Sequence, residues 1–563
     1  MALTFEQAVK VVYEPGTRLE LTTATIRGVE MQVFKNSPQH LGQLFDAARG
    51  YGDRTFIVYE GETWSFAKVM EQVDALAHAL VHVYGVKKGD RVAVSMRNYP
   101  EWIVSFAAII SVGAISVSMN SWWTEDEIDF ALGDCGAVVL IADQQRLDLA
   151  HKSCRTRGVK MLLVRAEREV GPDVDEWDKV LTIGVAHPGA DIDLDDDATI
   201  LYTSGTTGHP KGAVSTHRAL ISALLAFSAR GAVDVLRVDN APTEDLPMSF
   251  ILIVPLFHVT GCVAVMLGCF VAGLKLVIMY KWDPEKALQI IQDEQITAFI
   301  GVPTQSWDLV NHPRFAEFDT SSLRAVGGGG APAPASLVAK VSNSVKSGSP
   351  QLGYGMTETN AFGPGNRGQD YLDRPTSTGR WVPPMKVEVR DEDGHTLPVG
   401  ERGEIWFFGP MLIRGYWNRP DATAETIVDG WLRSGDAGRI DAEGFVFVED
   451  RIKDMILRGG ENIFCAEIEG AIYEHPGVHE VAVFGVPHER LGEEVAVAIW
   501  PNEGAVFSAT DVWKLLDGKI ASYKVPTHVV IMNEALPRNA AGKFLKRELA
   551  QLVIKGALKA VSR

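Results

Sequence analysis

Residues 203–212 read Thr203-Ser204-Gly205-Thr206-Thr207-Gly208-His209-Pro210-Lys211-Gly212. The residues just before them, 198–202, are rich in β-branched and aromatic side chains and predict a strand. Glycines separated by small hydroxylated residues let a backbone approach a ligand closely and turn several N–H groups toward one point. The hydroxyls and the lysine add donors for an anion with many oxygens. The stretch therefore predicts a phosphate-binding loop for a nucleoside triphosphate.

This stretch has two other possible interpretations. Clusters of Ser, Thr, Gly and Pro are often plain surface loops. The phosphate loop of nucleotide hydrolases needs Gly before its Lys and Ser or Thr after it, whereas Pro210 and Gly212 flank Lys211 here. The string 202–212 instead resembles the phosphate-loop signature of the adenylate-forming superfamily. That superfamily comprises acyl-CoA synthetases, luciferases and the adenylation domains of peptide synthetases.

Composition excludes several classes of protein. The chain has 563 residues, 46% hydrophobic and 22% charged, which is ordinary for a soluble enzyme. Its formal charge of −18 argues against binding to nucleic acid or to an anionic membrane. Its five cysteines are odd in number and lack CxxC spacing, so we expect no disulfide framework, no zinc site and a cytoplasmic location.

Residues 248–274 contain no Asp, Glu, Lys or Arg and are long enough to span a bilayer. Pro255, His258 and three glycines interrupt the run, so a buried strand, a turn and a buried helix explain it better. We expect no transmembrane segment. The N-terminus also lacks the layout of a signal peptide.

Strand-then-helix units recur around 91–112, 137–141 and 161–164, which predicts an α/β fold with mostly parallel sheets covered by helices. A strand is predicted over 250–258, and another over 323–326 that runs into the glycines 327–330, expected to line a ligand channel. Short alternating strands predict a β-rich subdomain over about 381–450. We therefore expect a large N-terminal domain, 1–450, and a smaller, mobile α+β C-terminal lid domain, 451–563, with the hinge at about 450–453.

A second motif is Gly353-Tyr354-Gly355-Met356-Thr357-Glu358. Tyr354 offers a flat face for an adenine ring, Thr357 a hydroxyl for phosphate, and Glu358 a hard oxygen ligand for Mg²⁺. Thr and Glu near a helix start are also common caps, so the motif alone is weak. It follows the phosphate loop by about 150 residues, as the family's adenine and metal motif does.

The resemblance implies a role for each matching position. Thr203 and Glu358 would hold the metal. The implied nucleotide contacts are Thr203, Ser204, Gly205, Thr206, Thr207, Gly208, Lys211, Gly330, Ala331, Pro332, Gly353, Tyr354, Gly355, Met356, Thr357, Asp436, Arg451 and Lys543.

Three further motifs follow toward the C-terminus. In the string 430–436, Asp436 follows a Gly turn and is by resemblance a ligand of the ribose hydroxyls, although a turn Asp that satisfies its own backbone is equally common. In 450–462, Arg451 would be a second ribose or phosphate donor and Lys453 the hinge position, in a charged run typical of linkers. Gly459 and Gly460 would help to line the channel for pantetheine, the thiol arm of coenzyme A.

The last motif lies in 536–544 and contains Lys543 on a glycine turn. A lysine there is usually a surface residue, but its position after four other motifs resembles the family's catalytic lysine. The implied reaction is AMP-forming: a carboxylate attacks the α-phosphorus of ATP, pyrophosphate leaves, and the thiol of coenzyme A displaces AMP. Lys543 would bridge the carboxylate and the α-phosphate, and Lys211 would hold the departing phosphates. ATP, Mg²⁺ and coenzyme A are the implied substrates and cofactor.

By resemblance, the acyl pocket is assigned to His258, Trp307, Gly328 and Gly329. His258 would gate this pocket and is counted with the catalytic residues. The alternative for His258 is a core histidine whose hydrogen bonds are satisfied within the protein. No acid stands in 255–261, so an amino-acid substrate is not expected. The end of the last motif resembles bacterial medium- and long-chain fatty-acyl synthetases. An aromatic-acid CoA ligase and an acyl-AMP ligase that loads a carrier protein remain open, as do a luciferase-type oxygenase, a non-catalytic ATP-binding relative and a homodimeric state.

Overall fold

Five β-sheets organise the part of the chain that the computed structural model describes, residues 2–203, 210–238, 246–331, 333–459, 461–538 and 544–563. Strands and helices are numbered in chain order. The architecture is α/β as predicted, with a large N-terminal and a smaller C-terminal domain.

The first large sheet has the strand order β20-β11-β10-β6-β5-β7-β8-β9. Its strands from β10 to β9 are parallel, as the strand–helix alternation predicted, and β11 and β20 close one edge in antiparallel pairing. The strands are β5 (Arg91–Ser95), β6 (Ile115–Ser118), β7 (Val139–Asp143), β8 (Lys160–Val164), β9 (Val174–Glu176), β10 (Asp197–Thr203), β11 (Lys211–Thr216) and β20 (Gly415–Tyr416).

The second large sheet has the order β17-β16-β15-β14-β12-β13-β3-β4, with six parallel strands between two antiparallel edges. The strands are β3 (Thr55–Tyr59), β4 (Glu62–Ser65), β12 (Ser249–Leu252), β13 (Lys275–Ile278), β14 (Ala298–Gly301), β15 (Ala325–Gly329), β16 (Ser349–Gly353) and β17 (Gly365–Arg367). One continuous apolar core joins this sheet to the first.

The three remaining sheets are mostly antiparallel. The short hairpin is β1 (Leu21–Ile26) with β2 (Val29–Phe34); the β-rich sheet is β18 (Lys386–Arg390), β19 (Gly403–Phe408), β21 (Ile427–Val428), β22 (Trp431–Ile440) and β23 (Val446–Arg451). The C-terminal sheet comprises β24 (Ile456–Arg458), β25 (Glu461–Ile463), β26 (Val478–His488), β27 (Gly492–Pro501), β28 (His528–Ile531) and β29 (Val561–Ser562).

The helices cover the sheets, and α4 is buried along its whole length because almost every residue in it is apolar or small. They are α1 (Phe5–Val12), α2 (Leu41–Ala48), α3 (Phe66–His82), α4 (Pro100–Ser111), α5 (Glu125–Cys135), α6 (Gln144–Arg157), α7 (Trp177–Val180), α8 (His217–Leu236), α9 (Gly268–Ala272), α10 (Pro284–Asp293), α11 (Pro303–Val310), α12 (Ala335–Ser344), α13 (Gly368–Asp373), α14 (Pro420–Thr426), α15 (Cys465–Tyr473), α16 (Ala509–Leu516) and α17 (Lys546–Ile554).

One predicted strand ends too late and another ends too early. The strand predicted over 250–258 ends at Leu252, and residues 255–258 form a turn in which the His258 N–H donates to the Pro255 carbonyl oxygen at 3.1 Å. The glycines at 327–329 belong to β15 itself. A Cβ at Gly328 would lie 1.7 Å from the carbonyl oxygen of Gly301 on the neighbouring strand. Close strand packing therefore requires glycine there.

The apolar run 248–274 forms β12, the turn, a π-helix over Thr260–Leu267 and α9, as its interruptions predicted. A different element, α8, is long and apolar enough to cross a membrane, with a mean hydropathy of 1.7. Half of that segment is buried inside the protein. Core helices of soluble proteins pass the same test, so α8 is weak evidence for a membrane.

Candidate functional site

The phosphate-loop strands β10 and β11 pair antiparallel, and Thr203 lies directly opposite Lys211. The Thr203 hydroxyl donates to the Lys211 carbonyl oxygen at 3.3 Å, which holds the two ends of the loop together. The other predicted loop contacts, Ser204, Gly205, Thr206, Thr207 and Gly208, lie outside the described residues.

Tyr416 joins the phosphate-loop lysine to the second motif. Its ring centroid lies 5.2 Å from Lys211 Nζ, and its hydroxyl donates to Glu358 Oε1 at 2.6 Å. Glu358 is 7% exposed, and burial, followed by the charge of Glu358, raises the pKa of the Tyr416 hydroxyl. The structure thus brings two predicted residues, 147 positions apart in the sequence, to opposite sides of one tyrosine.

Sequence reasoning missed Tyr416. It sits in the two-residue strand β20, which pairs with β11 so that Tyr416 lies opposite Ala213. A Gly–Tyr pair in a loop-rich region carries no spacing signal. Pairing with the strand that begins at Lys211 is a tertiary property.

The 3₁₀ turn Thr357–Thr359 presents Glu358, and its geometry depends on neighbouring glycine and hydroxyl groups. The Met356 N–H donates to Thr359 Oγ1 at 3.1 Å, and the Ile413 N–H donates to the Glu358 carbonyl oxygen at 3.0 Å. A Cβ at Gly355 would lie 2.3 Å from the Ala361 carbonyl oxygen, so only glycine fits before this turn.

A second cluster forms around Asp436, which is 3% exposed. Tyr354 donates its hydroxyl to Asp436 Oδ2 at 2.5 Å, and Arg451 Nε lies 2.6 Å from Asp436 Oδ1. Burial, and then the Asp436 charge, raises the pKa of Tyr354. The Asp436 N–H donates to Ser434 Oγ at 3.0 Å. Residues predicted as adenine, ribose and phosphate contacts therefore meet in one place.

The remaining predicted nucleotide residues lie at the ends of parallel strands β15 and β16. Gly353 is paired with Gly329 in register, and Gly330 has a φ of +84°, a left-handed conformation that favours glycine. Ala331 follows, and Pro332 lies outside the described residues. The carboxyl ends of parallel strands are where ligands bind in open α/β sheets.

The residues predicted for the acyl pocket are spread over several elements. His258 is at the turn after Pro255, with its ring centroid 4.6 Å from that of Phe257, and Phe257 packs edge-on against Trp122 at 5.4 Å. Trp307 is on α11, with Lys340 Nζ 5.9 Å from its ring centroid.

Gly328 lines a small apolar pocket between α11, α12 and α13, together with Ser306 and Leu337. Within the described part of the chain, His258, Trp307 and Gly329 are not among the residues that line it. The four residues assigned to the acyl pocket thus do not share this cavity.

The predicted hinge lies between two sheets. Arg451 is the last residue of β23 and is paired with Asp436 on β22, whereas Ile456 already belongs to β24 of the C-terminal sheet. Lys453 is exposed in the turn between them. Gly459 has a φ of +61°, and its N–H donates to the Leu491 carbonyl oxygen; Gly460 lies outside the described residues.

Lys543 also lies outside the described residues, but both flanks of its segment are defined. Arg538 and Phe544 form an antiparallel bridge, with the guanidinium 4.1 Å from the Phe544 ring centroid. The Leu545 N–H donates to the Pro537 carbonyl oxygen at 2.9 Å, and Arg538 pairs with Glu480 at 2.7 Å.

A group of possible metal ligands lies at a different place from the predicted metal site. Among the described residues, one group, Asp391, Asp393 and His395, has its oxygen and nitrogen atoms within 4.8 Å of one another. It is mostly exposed, and such acidic groups are common without a metal. It does not include Glu358.

Comparison with protein families decides the identity of the fold. The family model described as AMP-binding enzyme matches residues 44–417, and that of the AMP-binding enzyme C-terminal domain matches residues 467–543. The chain belongs to the AMP-binding enzyme family. The resemblance to the adenylate-forming superfamily is thereby confirmed.

Curated members of the AMP-binding enzyme family align over most of the chain. A feruloyl-CoA synthase from Amycolatopsis is 34% identical over 498 residues, covering 88% of this chain and 95% of that protein. The long-chain-fatty-acid–CoA ligase FadD13 of Mycobacterium tuberculosis is 34% identical over 490 residues, covering 85% and 92%. Among solved structures, ATP-bound MatB from Rhodopseudomonas palustris matches with a TM-score of 0.79 at 30% identity, covering 91% of this chain and 98% of that chain. The predicted class, an AMP-forming acyl-CoA synthetase, agrees with these relatives.

Proposed function

We propose that this protein is an acid–thiol ligase that converts a carboxylic acid, ATP and coenzyme A into acyl-CoA, AMP and pyrophosphate. The observation that carries the proposal is the Lys211–Tyr416–Glu358 arrangement, which places a cation and a buried carboxylate beside the ends of the phosphate loop. A triphosphate needs both, because its charge is shared between fixed cations and a bound metal. The names of the relatives support the same reaction.

The chain's own residues suit the two steps. In the first, a carboxylate oxygen forms a bond to the α-phosphorus while the bond to pyrophosphate breaks; Lys211 would stabilise the charge that pyrophosphate gains, and Lys543 the charge at the α-phosphate. In the second, the thiol sulfur bonds to the acyl carbon and AMP leaves. We assign no base for the thiol proton.

Asp436 would bind the ribose. Both of its oxygens have donors in Tyr354 and Arg451, so a ribose hydroxyl would take the place of one of them. Exchange of one donor for another keeps the buried carboxylate satisfied. The adenine ring would then lie against Tyr354 and the strand ends at Gly330 and Ala331.

The donor set fits Mg²⁺, which prefers carboxylate and hydroxyl oxygens. Glu358 would hold it with Thr203, and the Tyr416 hydroxyl would orient the carboxylate. When bound, the ion would neutralise charge on the triphosphate oxygens.

We further propose that the substrate is a medium- or long-chain fatty acid. We also propose that residues 451–563 form a C-terminal lid domain that turns about Lys453, so that Gly459 and Gly460 line the pantetheine channel. A cytoplasmic location accords with five free, buried cysteines. An aromatic acid is the second candidate, favoured by the Trp122–Phe257–His258 ring series beside the predicted gate. A carrier-loading ligase is the third.

ATP–pyrophosphate exchange over a panel of acids tests all three. The panel runs from acetate to palmitate and adds benzoate and cinnamate, each with and without coenzyme A. We expect exchange to peak at one aliphatic acid, with AMP and thioester formed only when coenzyme A is present. A peak at an aromatic acid selects the second candidate, and exchange without coenzyme A turnover selects the third. No exchange with any acid would contradict the proposed reaction.

A further inference from the structure

A charged pocket lies outside the predicted nucleotide site, where α1, the end of α8 and the segment after β17 meet. Four arginines line it, Arg230, Arg237, Arg367 and Arg380, together with two aspartates, Asp234 and Asp370. A third carboxylate lies at the rim, where Glu6 Oε1 is 3.4 Å from Arg380 Nη1. Four positive charges against three negative ones leave an excess of one. No residue predicted to contact the nucleotide is among those that line this pocket in the described part of the chain.

The arginines have more donors than the pocket supplies acceptors. Asp370 Oδ2 is shared by Arg237 Nη1 at 2.9 Å and Arg380 Nη2 at 3.3 Å. Arg230 donates from Nη2 to the Gly363 carbonyl oxygen. The Nε groups of Arg230 and Arg237 are buried, and neither has a hydrogen-bond partner among the described residues. A buried N–H of a charged group without an acceptor is costly.

The surroundings of the pocket strengthen its attraction for an anion. The Phe5 ring forms one wall, with the Arg380 guanidinium carbon 3.9 Å and that of Arg237 5.6 Å from its centroid. Burial lowers the pKa of Arg230 to about 10, which reflects a cation that its neighbours do not fully compensate. An apolar wall excludes water and makes each charge–charge contact stronger.

We propose that this pocket binds a small oxyanion of the phosphate class. A tetrahedral phosphate carries the negative charge that the lining lacks and has four oxygens that can accept from the unpaired Nε groups of Arg230 and Arg237. Planar guanidinium groups bind phosphate oxygens through two parallel hydrogen bonds, and the arginines of this pocket outnumber its carboxylates.

The pocket abuts β17, which pairs with the strand that leads to Tyr354. Arg230 lies so close to Gly365 that a Cβ there would be 1.8 Å from Nη1. Gly365 pairs with Gly353, the residue before Tyr354. An anion that fixes Arg230 would therefore brace β17 and, through the Gly365–Gly353 pairing, the strand that ends just before Tyr354.

The test measures the thermal unfolding of the full-length protein as inorganic phosphate is added, with sodium chloride at equal ionic strength as the reference. A ligand that binds the native state raises the unfolding midpoint in proportion to its binding. We expect phosphate to raise the midpoint and chloride to have no effect. Arg367 is an exposed residue at the rim of the pocket. The Arg367→Gln substitution should weaken phosphate binding about tenfold or more, which is the loss expected for a charge-assisted hydrogen bond.

Two further variants make the result specific. Asp370→Asn makes the net charge of the lining more positive, so it should tighten phosphate binding. This effect is opposite in sign to that of Arg367→Gln. Arg490→Gln, on an exposed residue of the C-terminal domain, should leave it unchanged. A parallel titration with pyrophosphate shows whether the pocket binds phosphate or a polyphosphate more tightly.

Lys211→Ala separates this pocket from the phosphate loop and should keep the phosphate response. The proposal is wrong if chloride acts as phosphate does, if Arg367→Gln responds like Arg490→Gln, or if Lys211→Ala abolishes the response. The measurement needs no turnover, so its outcome is independent of the proposed ligase reaction.

Discussion

At the scale of single residues, the most informative side chain is one that no motif contains. Tyr416 contacts Glu358 through its hydroxyl and Lys211 through its ring. If Glu358 holds Mg²⁺, the Tyr416 hydroxyl is the outer partner that orients the ligand. Such partners typically contribute 10–100-fold to metal affinity or activity.

Tyr416→Phe removes that hydroxyl and keeps the ring. We expect the Mg²⁺ concentration for half-maximal pyrophosphate exchange to rise about 10–100-fold. Tyr523→Phe, at a tyrosine 36% exposed in the C-terminal domain, is the matched control and should change nothing. An unchanged Mg²⁺ dependence in Tyr416→Phe would contradict the metal assignment of Glu358.

The buried residue His217 predicts that acid destabilises the protein. It is fully buried at the start of α8, where its Nδ1 accepts the Leu41 N–H at 3.2 Å. Burial, and then the nearby His40, lowers the pKa of His217 to about 4. Between pH 6.5 and pH 4 the unfolded chain binds a proton at this residue and the native protein does not, so stability is full above pH 6.5 and falls as the pH is lowered.

His217→Asn keeps an acceptor near the Leu41 N–H and removes the titration. We expect the variant to lose less stability than the wild type between pH 7 and pH 4, by up to about 3 kcal/mol, as measured by urea unfolding at each pH. His395→Asn, at a side chain 78% exposed, should follow the wild-type pH profile. Parallel pH profiles for His217→Asn and the wild type would refute the assignment.

At the scale of elements, glycines decide how closely backbones approach. In the first turn of the π-helix, a Cβ on Gly261 would lie 2.3 Å from the Pro255 carbonyl oxygen, the atom that accepts the His258 N–H. Gly268, which begins α9, has open space around its Cβ position. The same chemical change should therefore have opposite effects at these two positions.

Gly261→Ala should destabilise the protein by about 1–3 kcal/mol, the usual cost of overpacking. Gly268→Ala should stabilise it by up to about 1 kcal/mol, because alanine has the higher helix propensity. Urea unfolding of the two variants compares them directly. Equal stability in both would show that the Pro255 turn shifts without cost.

At the scale of the whole molecule, a partly buried ion pair ties the last helix to the predicted hinge. Lys546 Nζ on α17 lies 2.8 Å from Glu469 Oε1 on α15, and each side chain is 16% exposed. Burial alone would lower the pKa of Lys546, but Glu469, Cys465 and Asp450 raise it above its ordinary value. Asp450 in turn accepts the Cys465 N–H, so α15, α17 and the end of β23 share one network.

Lys546→Met should destabilise the C-terminal domain by about 2 kcal/mol, less than the loss for a fully buried pair. Lys519→Met breaks an exposed pair with Glu474 and should cost at most about 1 kcal/mol. Limited proteolysis followed over denaturant measures both. Similar susceptibility of the two variants would show that the network does not hold the domain.

The proposed alternation of two half-reactions also belongs to the whole molecule. Lys543→Ala should slow adenylate formation about 10²–10³-fold, the usual cost of one charge-stabilising donor. Conversion of supplied acyl-adenylate to thioester should persist. Lys555→Ala, at an exposed lysine of the same domain, is the control. Equal loss of both half-reactions would overturn the role given to Lys543.

The sequence by itself determined the order of the motifs, the α/β class and the chemical type of each predicted contact. It could do so because strand and helix periodicity and the donor inventory of short loops are local properties. Only the tertiary structure decided that Tyr416 joins Lys211 to Glu358, that Asp436 is shared by Tyr354 and Arg451, and that four arginines meet in one pocket. Those partners are far apart along the chain, and their meeting depends on strand order and register, which no single stretch of sequence encodes.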